Sequence, residues 1–112
     1  MLDFEFKDCY DINDLVHIMR LLRAPGGCPW DAEQTHVSIK KNLIEETYEA
    51  IEAIDLDDKE LMQEELGDVL MQVMLHAQFE AEENVFDFSH FGLLHCWVFP
   101  DHQQTVFWIL TF

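Results

Sequence analysis

The chain has 112 residues, of which 23 are acidic and 6 basic, for a formal net charge of −17, and 49% of it is apolar. This length and apolar fraction suit one small domain with a hydrophobic core and exclude a disordered tail. The charge excludes nucleic-acid binding through a basic surface, and it makes an anionic ligand a poor guest unless cations accompany it.

The opening "MLDFEFKDCY" is acidic and lacks an apolar h-region, so no signal peptide is predicted. Cys9, Cys28 and Cys96 are odd in number and far apart, without a CxxC pair. Free thiols in a reducing cytoplasm are the reading that fits. The basic residues are Lys7, Arg20, Arg23, Lys40, Lys41 and Lys59, and none follows Lys59.

Ile12, Leu15, Val16, Met19 and Leu22 recur at helical spacing and predict a first helix over about Asp11 to Arg23. Asp11 or Asn13 can cap it, and Arg20 and Arg23 suit its C-terminal dipole. "APGGCPW" stops it, because two prolines and two glycines cannot continue a helix. "DAEQTHVSIKK" reads as a polar connector into a second helix from about Val37 to Ile54. On its wheel Leu43, Ile44, Thr47, Tyr48, Ile51 and Ile54 form a wide apolar arc, with Ala50 among them. Glu45, Glu46, Glu49 and Glu52 take the complementary side.

After the turn "DLDD", Asp57 followed by Glu60 resembles a capping box for a third helix, over about Lys59 to Glu80. One face carries Met62, Leu66, Val69, Leu70, Val73 and Met74; a second carries Leu61, Leu75 and Phe79. A helix apolar on two faces sits between neighbours. Glu65 and Asp68 lie beside the second face and are poor candidates for solvated acids. Beyond "EAEENVFDFSH" the patterning fails. The remainder, "FGLLHCWVFPDHQQTVFWILTF", is aromatic and β-branched, is interrupted by Pro100, and reads as weakly structured. It is too broken by polar residues for a membrane span. The chain therefore divides into a domain over 1–90 and a hydrophobic tail over 91–112.

Residues three or four apart share a helix face, which pairs Glu46 with Glu49, Glu45 with Glu49, and Glu65 with Asp68. Two helices joined by a short turn are antiparallel neighbours, so the pairs can face each other at similar heights. Carboxylates gathered in this way repel and raise each other's pKa, and a hard divalent cation relieves that repulsion. Oxygen donors without nearby His or Cys favour Mg²⁺ or Mn²⁺. A solvated acidic face is the competing reading; Glu65 and Asp68, on the helix that is oily on two sides, weigh against it. Residue by residue, the chemistry extends to a helical protein with a Mg²⁺ site, a kind of site that commonly serves phosphate chemistry.

"LLRAPGGCPWDAEQTH", "NLIEETYEAIEAID" and "EELGDVLMQVMLHA", in that order, closely resemble the MazG family of nucleoside triphosphate pyrophosphohydrolases. The family hallmark, EExxE followed by ExxD, falls on Glu45, Glu46 and Glu49 and on Glu65 and Asp68. The resemblance runs from about Asp11 to Glu83. It implies an all-α helical bundle, completed by dimerisation, and Mg²⁺-dependent hydrolysis of an NTP or dNTP to the monophosphate and pyrophosphate. It implies Glu46, Glu49, Glu65 and Asp68 as metal ligands, with Glu45 and Glu46 in catalysis and Glu45 as a further ligand or a base that orients water. Lys40 and Lys41 are candidates to reach phosphates, or are surface lysines. Trp30 either stacks on a base or plugs the core. Gln34 and His36 line the nucleotide pocket or cap a helix, and His76 reads as a packed or hydrogen-bonded core histidine.

The family continues past the third helix into a further helix ending in a basic run resembling KLIRRHPHVF. Here the divergent tail replaces it and contains no Lys or Arg. A truncated or frame-shifted copy and a divergent end are both consistent with this. The upstream metal site is expected to survive the change, whereas phosphate binding and turnover are the functions it affects. A catalytically weak nucleotide- or metal-binding module, kept as an oligomerisation partner, is the alternative function.

Overall fold

A computed structural model describes residues 4–91 of the chain. The tail reading, with Trp97, Phe99, Phe107 and Trp108, lies outside the described residues. Among these residues all regular structure is helical: α1 (Ile12–Arg23), α2 (Pro29–Glu33), α3 (His36–Asp55) and α4 (Lys59–Glu82), then a 3₁₀ turn (Phe88–His90). No helix among them is long and apolar enough to cross a membrane.

Local chemistry sets each boundary. Asp11 caps α1 in a reciprocal box: its side chain accepts from the Asp14 N–H at 2.9 Å, and the Asp14 carboxylate accepts from the Asp11 N–H at 2.9 Å. After α1 the chain folds back on itself, and the Cys28 N–H donates to the Leu22 carbonyl at 2.7 Å. Gly27 permits this approach, because a Cβ there would collide with the carbonyls of Leu21 and Leu22. The connector then departs from the sequence expectation. Pro29, preset for the first position of a helix, starts the short α2 in the stop segment, and α2 runs on into the first connector residues, Asp31 to Glu33. α3 begins at His36 rather than Val37 because Thr35 and Ser38 form a second capping box.

The turn between α3 and α4 is a Schellman closure. The Asp57 N–H donates to Ile54 O and the Asp58 N–H to Ala53 O, with Asp57 in the left-handed region at φ 53°. Asp57 is thereby committed to the reversal, and it is Asp58, not Asp57, that caps α4, accepting from the Leu61 N–H at 3.1 Å. The same closure ends α4 at Glu82, two residues past the expected end, with Asn84 at φ 57°.

The core lies at the C-terminal half of α4, where Met74, Leu75 and Phe79 meet Met19 of α1 and Ile39 of α3. Leu15, Val16, Ile18, Leu22 and Phe88 pack around it. Of Met62, Met71 and Met74 on α4, only Met74 is core; Met62 is half-buried and Met71 exposed. The apolar arc of α3 is placed differently from a core face. Ile44, Tyr48, Ile51 and Ile54 are exposed, as are Leu66 and Leu70 of α4. What α3 turns toward α4 is the stripe Ile39, Glu46, Ala50 and Ala53. The two alanines, buried at 5% and 0% exposure, are small enough to let the helices approach closely. The hairpin thus closes over its acids and leaves its oily flank open.

Candidate metal centre

The tight reversal sets the register of the α3–α4 pair. Positions equidistant from Asp57 face each other, which places Glu49 with Glu65, Glu46 with Asp68, Asn42 with Gln72, and Ile39 with Leu75. Contacts at the far end agree. His36 Nδ1 lies 2.6 Å from His76 Nδ1, and His36 Nε2 lies 2.6 Å from Glu80 Oε1, so His36 sits between the two α4 residues.

Carboxylate oxygens of Glu46, Glu49 and Glu65 lie within 4.8 Å of one another. Glu46 and Glu65 are half-buried and Glu49 is exposed. Asp68, half-buried, does not belong to this tightest group but acts on it electrostatically. Burial first, then the charges of Asp68 and Glu49, hold the Glu46 carboxyl above its ordinary value. Burial, then Glu49, raises Glu65. Among the described residues no basic side chain is paired with any of these four acids. Converging, oxygen-only and unneutralised, the donor set fits a hard divalent cation such as Mg²⁺.

The raised Glu46 has a consequence for metal-free protein. An acid with a raised folded pKa binds more protons folded than unfolded between the two values, so stability falls as pH rises through that window. Glu46→Gln is therefore expected to melt higher than wild type above the raised value in EDTA, and to match it well below the ordinary carboxylate range. Thermal melts against pH check this; a variant that melts lower at neutral pH would contradict it.

The other predicted residues are more peripheral. Glu45 is exposed and pairs with Lys41 at 3.3 Å, a solvated i,i+4 contact worth only about 0.2–0.5 kcal/mol. Lys40 is exposed. Trp30 is 59% exposed on α2 and does not plug the core. Gln34 ties the α2–α3 junction, donating to Trp30 O at 2.8 Å and accepting from the Ser38 hydroxyl at 2.8 Å. Cys28 is half-buried at the start of α2.

Sequence reasoning missed two networks. His36 and His76 stack with centroids 4.9 Å apart, and both meet Phe79 edge-on. Burial and the neighbouring His36 hold His76 below its ordinary pKa. The signal was the placement of positions 36 and 76 on either side of the turn. Arg23 does more than complement a dipole. It makes a bidentate pair with Glu82 at 2.8 and 2.9 Å, donates to Asp31 O and Gln34 O, and lies 4.3 Å over the Phe79 ring. It thereby ties α1, α2 and the α2–α3 junction to α4.

Residues 34–91 match the model of the MazG nucleotide pyrophosphohydrolase domain. The chain is 58% identical over 73 residues to the nucleoside triphosphate pyrophosphohydrolase/pyrophosphatase MazG of Thermotoga maritima, covering 65% of this chain and 29% of that protein. It is 48% identical over 79 residues to the nucleoside triphosphate pyrophosphohydrolase of Escherichia coli K12, covering 70% and 30%. It is 59% identical over 69 residues to the uncharacterized protein YabN of Bacillus subtilis, covering 62% and 14%. The chain thus spans less than a third of the length of each of these relatives.

Proposed function

The chain belongs to the MazG nucleotide pyrophosphohydrolase family, and on that premise we propose that it hydrolyses nucleoside triphosphates, ribo- or deoxyribo-, to the monophosphate and pyrophosphate in a Mg²⁺-dependent reaction. The observation that carries this reading is the convergence of Glu46, Glu49 and Glu65, with Asp68 beside them and no basic partner. Such a pocket repels a triphosphate by itself and receives one only together with cations. Two relatives are named for nucleoside triphosphate pyrophosphohydrolysis, which supports the same chemistry.

Glu46, Glu49, Glu65 and Asp68 would hold Mg²⁺, or Mn²⁺ in its place. The ion supplies the positive charge that the site lacks and makes water a better nucleophile. Glu46 is proposed to act in catalysis as well as to hold the ion, since it stands in the cluster from which metal-held water would attack. Glu45 can turn inward at little cost, since its Lys41 contact is weak, and serves as further ligand or base. Lys40 and Lys41, about a turn before the acidic motif, are proposed to meet phosphate oxygens. Trp30, exposed next to the α2–α3 junction, is available to stack on a base. The test is product analysis over a panel of NTPs and dNTPs. Equimolar monophosphate and pyrophosphate support the proposal, and orthophosphate or no product counts against it.

The same reading includes a homodimer. Ile44, Tyr48, Ile51, Leu66 and Leu70 form an exposed apolar flank beside the acidic seam, as a helix pair completed by a second copy would. Tyr48→Asp combined with Ile51→Glu is expected to convert a dimer to a monomer in light scattering. A double variant with unchanged mass would refute that placement of the interface. Exposed Cys9 and half-buried Cys28, both unpaired among the described residues, suit a reducing cytoplasm.

A further inference from the structure

His36 of α3 and His76 of α4 meet nitrogen to nitrogen. Their ring planes lie within 7° of each other and Nδ1 stands 2.6 Å from Nδ1, so a single proton fills the gap between them. The far nitrogen of His36, Nε2, lies 2.6 Å from Glu80 Oε1 and donates to that carboxylate. The far nitrogen of His76 is buried and has no hydrogen-bond partner among the described residues. These partners assign the protons. His36 carries one on Nε2 and accepts at Nδ1; His76 donates from Nδ1 and keeps a bare Nε2. The other charged groups around the pair are peripheral. Lys40, one turn along α3, and Glu33, at the end of α2, are exposed. Arg23 of α1 lies over the Phe79 ring that both imidazoles meet edge-on, and its charge is matched by Glu82.

We infer that the His36–His76 pair is an acid-opened clasp, closed while both rings are neutral and released when the pair takes up a further proton. The proton count carries this. The gap holds one proton, and Glu80 fixes a second on His36. A third has only His76 Nε2 left to occupy, where it creates a charged pair with an N–H that meets no acceptor. A fourth sets two N–H groups against each other at 2.6 Å. Opening removes both obstacles, since each ring then reaches water. The His76 ring is accordingly held below its ordinary pKa, by burial first and by His36 second. The closed form of such a base binds fewer protons than the open one. Closure is therefore fully present above the ordinary histidine value of about 6.5 and weakens as pH falls below it. The clasp pins the first turn of α3 to α4, beside the junction that leads from Trp30 to Lys40 and Lys41. None of its groups belongs to the carboxylate seam, so the clasp stands whether or not the proposed function does.

Hydrogen exchange of the Ile39, Lys40 and Lys41 amides tests this on the full chain, with His76→Gln alongside. Protection is followed from about pH 7.5 to about pH 5.5, either side of the ordinary histidine value, and corrected for the pH dependence of exchange itself. Wild type is expected to lose protection by up to roughly tenfold per pH unit for each proton that opening takes up. His76→Gln keeps a donor for His36 Nδ1 and does not titrate, and its amide can turn its oxygen toward a charged His36. Protection in that variant is expected to hold or rise on acidification. Wild-type protection that stays level with pH would overturn the inference, as would an equal fall in the variant. Should the variant fail to fold, the ring-nitrogen chemical shifts of wild type decide. His76 is expected to stay neutral, with its proton on Nδ1, for as long as the start of α3 is protected. A proton on His76 Nε2 at neutral pH, or a charged His76 in a chain whose α3 start is still protected, would overturn it.

Discussion

Asp68→Asn and Glu49→Gln are each expected to lower Mg²⁺-dependent nucleotide hydrolysis by at least roughly 100-fold. Changes to the partners that merely orient metal ligands typically cost about 10–100-fold in affinity or activity, and loss of a ligand belongs at or beyond the upper end of that range. The fold should survive both changes. Glu49 is exposed, Asp68 only half-buried, and neither belongs to the core cluster. A second signature separates metal binding from general damage. Wild type should gain thermal stability with added Mg²⁺, on the order of 2.7 kcal/mol when the ion is at a hundredfold excess over its dissociation constant. Both variants should lose most of that gain while matching or exceeding wild-type stability in EDTA, because each removes a charge from a crowded cluster. Activity assays and melts with and without Mg²⁺ check the two halves. A variant that retains turnover and the Mg²⁺ shift would remove its residue from the metal site.

Arg23→Ala is expected to be the most damaging single change outside the carboxylates, at about 2–4 kcal/mol. The side chain is only 10% exposed, and it carries the Glu82 pair, two backbone carbonyls and the Phe79 ring together. Its removal leaves Asp31 O and Gln34 O without that donor and takes the guanidinium from the exposed Glu82 carboxylate. Glu82 is partly solvated, which keeps the figure below that of a fully buried pair. The Arg23 hydrogen bond also holds the Glu82 carboxyl below its ordinary value. A depressed acid gives stability that is present above its unfolded pKa and lost as pH falls through its folded one. The gap between wild type and Arg23→Ala should therefore narrow on acidification through the carboxylate range. Denaturant unfolding at several pH values measures this. A variant within a few tenths of a kcal/mol of wild type at neutral pH would contradict the tie that Arg23 makes between α1 and α4.

Much of the fold was legible because local signals dominate it. The period of Ile12, Leu15, Val16, Met19 and Leu22 marks α1, and the runs around "EETYE" and "EELGD" mark the two long helices. Asp11 was readable as a cap because its geometry depends only on its neighbours. What escaped depends on tertiary contact. The wheel of α3 offers two faces, an oily arc and an acidic side, and hydrophobicity alone assigns the arc to the core. The structure turns Glu46 toward α4 instead, since Ile39, Ala50 and Ala53 share its stripe and are the residues that let the helices close. Asp57 was misread as the α4 cap because its left-handed backbone, forced by the reversal, cannot be seen in residue type. Spacing and the short turn point to Glu46, Glu49, Glu65 and Asp68 as one set; the first three lie together, and Asp68 stands outside that tightest group. The His36–His76 stack and the Arg23 network join residues distant in sequence, and no local pattern announces them.

In the proposed function the carboxylate seam of α3 and α4 works by holding a divalent cation for triphosphate hydrolysis. Pyrophosphate release from a nucleoside triphosphate, followed as Mg²⁺ is titrated into metal-free protein, tests it most directly. No release is expected in EDTA, a saturable rise with Mg²⁺, and no rise in Asp68→Asn at the concentration that saturates wild type. Release that persists in EDTA, or that is unchanged in Asp68→Asn, would contradict it.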